Sequence, residues 1–283
     1  MNSIELFEKA SIYVENQSGF TLEDTIKVQK QFEIERAQNP TLDATIAANL
    51  TAAMNENPKE LLFISNNRVL YNFFAKTSHS RNRFLSEAKI EVSSDAIKQF
   101  IEKYLGKDLE IYFEEKINQN RFEELDDFLA VKEYLPQSSL NSLNTKIAEK
   151  LDMVLDKLEK TPNYVDALTF NYIKHRSFYD LLSQFRSVDN DRRIRELLAV
   201  MYSDKISFDI KTEFLNPMLL SMANYKAVDN DLLNLLKSNK EETLVRTQKV
   251  SSSSSSALST GGIIVVVILV IRLFLLMVRC NRM

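Results

Sequence analysis

Apolar positions along this chain follow two rules. As far as about residue 250 they recur every three or four places, the period of helices with one buried face; from Ile263 to Val278 they run almost without a break. Within the first regime, Asn2 and Glu5 have capping-box spacing before a face of Ile4, Phe7, Ala10 and Val14, and Ser18-Gly19 is the expected stop. Thr21 and Asp24 open a second helix, with Leu22, Ile26 and Phe32 expected on its inner side and Pro40 behind it. Leu42, Ile46, Asn49, Leu50, Ala53 and Met54 form the next stripe. Residues 59–78 carry a dense apolar run that Asn66-Asn67 should divide. Lys89-Ile90-Glu91-Val92 alternates like a short strand. Ser94 then reads as a cap and Gly106 as the matching C-terminal stop.

From residue 107 the helical period is steadier. Leu109, Tyr112, Phe113 and Ile117 share a face, as do Phe122, Leu125, Phe128, Leu129 and Leu135 before Pro136. A long helix should carry Leu140, Leu143, Ile147, Leu151, Val154, Leu155 and Leu158, and Pro162 restarts the chain. Val165, Leu168, Tyr172, Phe178, Leu181, Leu182 and Phe185 follow. The tetrapeptide Val188-Asp189-Asn190-Asp191 returns as Val228-Asp229-Asn230-Asp231, 40 residues later. That spacing suits stacked helix pairs of the HEAT or armadillo sort; two independent helix caps would give the same letters. The expected fold is all-α: an irregular helical bundle or an α-solenoid-like stack of helix pairs, plus one C-terminal transmembrane helix. Scarce turn formers agree, since Gly19 and Gly106 are the glycines before residue 261. The expected organisation is a helical region at 1–92 and a second at 93–250, separate or joined as one domain. A Ser/Gly-rich linker at 251–262, a span at 257–278 and a short basic tail at 279–283 complete it.

The 22 residues from Ala257 to Val278 would cover ~33 Å as a helix, about the thickness of a bilayer's hydrocarbon core. Fourteen of the sixteen positions from Ile263 to Val278 are Ile, Val, Leu or Phe. At ~0.3–0.6 kcal/mol each they outweigh Arg272, which costs ~2.5–3.5 kcal/mol at mid-membrane and less when its head snorkels outward. Membrane lipid is therefore an expected partner of residues 257–278. The N-terminal sequence Met1-Asn2-Ser3-Ile4-Glu5 is not a secretory signal, so the expected topology is a single-pass C-terminal anchor with the domain on the cytoplasmic side. Arg279 and Arg282 pull against that orientation, and an outward-facing envelope protein is the alternative.

Charge and chemistry narrow the function. Setting aside Arg272, Arg279 and Arg282 leaves 33 basic against 39 acidic residues, a balance that does not point to nucleic acid. Cys280 is the single cysteine, which removes disulfide and zinc-cysteine frameworks. His79 and His175 lack Glu-x-x-His spacing, and phosphate loops lack their glycines. The acid clusters Glu114-Glu115 and Glu123, Glu124, Asp126, Asp127 read as solvated helix faces. Arg81 and Arg83, and Arg192, Arg193 and Arg195, read as solvated or partner-contacting groups. No catalytic, cofactor-binding or metal-ligating residue and no cofactor is assigned. The expected function is a membrane-anchored, non-enzymatic interaction or scaffold protein that binds a protein partner or itself. The alternative is an enzyme with an Asp/Glu/Tyr/Lys site assembled in three dimensions.

Overall fold

The computed structural model describes residues 1–12, 19–76, 90–161, 169–202, 206 and 210–256. They form thirteen α-helices joined by short 3₁₀ and π turns, with no strand among the described residues. The chain divides into two compact units: Met1–Lys157 with Asp180–Arg186, and Leu158–Tyr179 with the chain from Ser187 onward. The expected membrane span at 257–278 lies outside the described residues; among those described, no helix is long and apolar enough to cross a membrane.

The first unit opens with α1 (Ser3–Lys9), where the Asn2 side chain accepts from the Ile4 and Glu5 amides and Glu5 returns to the Asn2 amide. Asn2 Nδ2 also donates to the Phe74 carbonyl at 2.9 Å, so one cap ties two segments together. The helix is shorter than its apolar face suggests: Ser11 takes φ 50°, a left-handed turn that ends the period, and Val14 lies outside the described residues. Gly19 has φ 98°, which only glycine adopts without strain.

Thr21 and Asp24 form the expected capping box of α2 (Leu22–Gln38). The buried side is Val28 and Phe32, however, and Leu22 and Ile26 face solvent. At 100° per residue the pair at 22 and 26 points far from the pair at 28 and 32. Helices α3 (Thr45–Glu56), α4 (Pro58–Asn66) and α5 (Arg68–Ala75) follow. Asn67 does divide the apolar run, its side chain accepting from the Val69 and Leu70 amides to start α5. Helix α1 packs on α3 and α5, burying Ile4, Leu6 and Phe7 with Leu50, Met54, Leu70 and Phe74.

Residues 90–92 form no strand, because no second strand is present among the described residues to take their ladder bonds. Ser93, one residue earlier than the sequence suggests, caps α6 (Ser94–Tyr104). Gly106 does not stop that helix in a left-handed turn. It begins α7 (Gly106–Asn118), and Leu105 is the hinge between the two. Then come α8 (Phe122–Phe128), a 3₁₀ turn at Leu129–Tyr134 and the long α9 (Gln137–Lys160). Every fourth residue on one edge of α9 reaches its neighbours. Ser138 bonds Glu102 at 2.8 Å, Ser142 bonds Glu110 at 2.9 Å, Lys146 lies 3.9 Å from Glu114, and Lys150 bonds Asn120 at 3.1 Å.

In the second unit, α10 (Arg176–Leu182) contributes the buried Phe178 and Tyr179, while its last residues belong to the first unit. Helix α11 (Val188–Met201), α12 (Asn216–Met222) and α13 (Asn230–Ser256) complete it, with α12 packed on α13 and on the 3₁₀ turn Asn171–Lys174. Helix α13 continues through the serines at 251–256, the first half of the expected linker. Serine is a middling helix former, and adding residues to an existing helix avoids the cost of nucleation.

Candidate interaction cleft

The repeated tetrapeptide comes together in space. Val188, Asp191, Arg192, Arg195, Val228 and Asp229 line an open depression of about 280 Å³ in the second unit. Both copies contribute, but each does different work. In the first, the cap is the preceding Ser187, whose hydroxyl accepts from the Asn190 amide at 3.1 Å. This leaves Asp191 to point inward at 4% exposure, where it accepts from the Tyr225 hydroxyl at 2.7 Å and from the Asp229 amide at 2.8 Å. In the second copy Asp229 is itself the cap, accepting from the Asp231 amide at 2.8 Å and the Leu232 amide at 3.4 Å. Asp231 is exposed there.

Asp229 also takes a bond from Arg195 Nη2 at 2.5 Å, and that bond is the main cause holding its carboxyl below the usual range, followed by the Asp231 amide. Arg192 bonds Glu196 at 2.7 Å, one turn along α11. Above this polar frame the two motif valines are left outside: Val188 is 76% and Val228 52% exposed. The frame is fixed by a buried carboxylate, and the surface it presents is apolar with arginines beside it.

Of the residues singled out for chemistry, Arg192 and Arg195 line the cleft and the others are scattered elsewhere. His175 is exposed, and its Nε2 lies 3.0 Å from the Asn171 side-chain nitrogen. His79, Arg81 and Arg83 lie outside the described residues. Glu124 pairs with Lys116 at 2.6 Å, Asp126 accepts from Gln184 at 2.8 Å, and Glu114, Glu115, Glu123 and Asp127 lie on exposed faces. No group of three side chains that could hold a metal ion occurs among the described residues.

Other perturbed groups lie outside the lining of the cleft. In the first unit Asp108 is raised by burial, with Glu5 adding to the shift and Lys76 opposing it. Tyr112 is pushed up to about 12 by burial, then by Glu124, Glu115 and Asp127. In the second unit burial raises Tyr172 and Tyr179. These are packing effects on core-facing side chains. Tyr225, which anchors the cleft, went unflagged in the sequence because a lone tyrosine between two helices carries no periodic signal.

No protein-family model, curated protein or solved structure matches this chain.

Proposed function

We propose that this chain is a non-enzymatic helical interaction protein, held at a membrane by residues 257–278, whose cytoplasmic domain binds a protein partner through the cleft between the two tetrapeptides. In this reading the helices of the second unit are an irregular, solenoid-like stack, and the cleft is where consecutive helix starts leave side chains uncovered. The observation that carries it is the pairing of two exposed valines with an internally bonded frame. Exposed apolar groups on a rigid base favour partner contact, since little ordering entropy is lost on binding. The membrane part is supported by the length and composition of residues 257–278.

The test is a photo-crosslinking amino acid placed at Val188 or Val228 of the full chain in its own cells, with Lys27 as an exposed control on another unit. A discrete protein adduct at both cleft positions, absent at the control, supports the reading. Adducts equal at all three positions overturn it. Protease digestion of intact membranes tests the anchor: a domain removed from the cytoplasmic side fits, and a protected domain or a soluble protein does not.

A further inference from the structure

We infer that α10 is a strap through which the two units open together, so that loosening the second unit also loosens the part of the first that this helix completes. Its seven residues, Arg176–Leu182, make just under two turns. Isolated helices shorter than ~12–15 residues are marginal in water, so packing is what keeps this one folded. That packing is divided. Phe178 and Tyr179 belong to the second unit, where the Phe178 ring lies 5.4 Å from that of Tyr172 and 5.3 Å from that of Tyr179. Asp180 to Arg186 belong to the first unit: Leu181 and Leu182 are fully buried, and Gln184 donates to Asp126 at 2.8 Å and accepts from Lys132 at 3.3 Å.

The change of unit falls between Tyr179 and Asp180, inside the helix, with no loop at that point to absorb movement. An α-helical amide bonds the carbonyl four residues earlier. The amides of Asp180, Leu181 and Leu182 therefore look back to the carbonyls of Arg176, Ser177 and Phe178, all in the second unit. When those residues leave the helix, the buried leucines lose the backbone bonds that hold their turn. The other end is fastened too, since Ser187 caps α11 by accepting from the Asn190 amide at 3.1 Å. A short stretch pinned on both sides gives up less entropy on seating than one with a free end. Opening the second unit releases both pins at once. A partner that steadies the cleft frame would by the same route steady the first unit.

The experiment is hydrogen exchange with mass spectrometry on the full chain in detergent micelles, under conditions where the opening equilibrium sets the rates. Residues 122–134, which include both partners of Gln184, report on the first unit, and residues 230–243 on the second. Tyr225→Phe acts in the second unit, with Asp191→Ala as the stronger variant where 230–243 keep their wild-type rates. The expected result is a rise of about tenfold in exchange of the slowest amides of 122–134, alongside those of 230–243. Faster exchange at 230–243 with wild-type rates at 122–134 overturns the inference. A chain carrying Leu181→Ser and Leu182→Ser, whose strap is unseated from the first unit, tests the route. In that chain Tyr225→Phe should still speed exchange at 230–243 and add nothing at 122–134. An undiminished response at 122–134 overturns the assignment of the coupling to α10.

Discussion

Removing the Asp191 carboxylate is the sharpest test of how the cleft is held. Asp191 is 4% exposed and satisfies two donors: the hydroxyl of Tyr225, itself 1% exposed, and the half-buried Asp229 amide. Hydrogen bonds to a charged group contribute ~1.5–3 kcal/mol each, and a buried donor left unpaired costs ~1–3 kcal/mol. Asp191→Ala should therefore destabilise the second unit by ~3–5 kcal/mol, and Tyr225→Phe by ~1.5–3 kcal/mol, since the latter leaves the bond between Asp191 and the Asp229 amide in place. The double variant should fall short of the sum by ~1.5–3 kcal/mol, because the Asp191–Tyr225 bond is lost once in either order. Urea denaturation followed by circular dichroism gives the energies. Hydrogen exchange supplies the local readout: the Asp229 amide, slow in the wild type, should lose protection in Asp191→Ala and keep most of it in Tyr225→Phe. A cost under ~1 kcal/mol for Asp191→Ala, or additive effects, would refute the claim that one carboxylate joins the two motif copies.

Other expectations follow from the first unit. Asp108→Asn should raise stability at neutral pH: burial raises the folded carboxyl above its unfolded value, so wild-type stability falls as pH rises through that interval, and the advantage should vanish near pH 3. Tyr112 should ionise near 12 in an absorbance titration at alkaline pH. Because unfolded tyrosine ionises at about 10, stability should fall above that pH, and Tyr112→Phe should flatten part of the slope in urea melts. Asn2→Ala removes the α1 cap and the bond to Phe74, and should cost ~1–2 kcal/mol by denaturant titration, whereas Asn2→Ser should recover part of it. Gly19→Ala should cost ~1–2 kcal/mol through its φ of 98° rather than through crowding, since a Cβ there would sit 3.8 Å from that of Pro58.

Local signals were legible where one residue satisfies its own backbone. The Asn2–Glu5 and Thr21–Asp24 boxes, the break at Asn67 and the long face of α9 all appear where the letters place them. Errors arose where tertiary context decides. Leu22 and Ile26 have helical spacing, but Val28 and Phe32 have it too, and only the neighbours of α2 choose between the faces. Gly106 suits a helix end or a helix start equally well. At the cleft the tetrapeptide echo was visible, but its meaning was not. The copies are equal in sequence and unequal in role because Ser187 caps the first, leaving its last aspartate to reach Tyr225 across the chain.

The first unit does not close where its run of sequence ends, since it needs Asp180–Arg186 as well as Met1–Lys157. A ribosome adding ~5–20 residues per second must make the 29 residues from 158 to 186 in between, a delay of ~1.5–6 s. Throughout that interval the places later filled by Leu181 and Leu182 stand open on a nascent chain. A stop codon after residue 157 would fix the protein in that unfinished state. Early truncation should therefore recruit chaperones or aggregate, while release after Arg186 should leave the first unit complete.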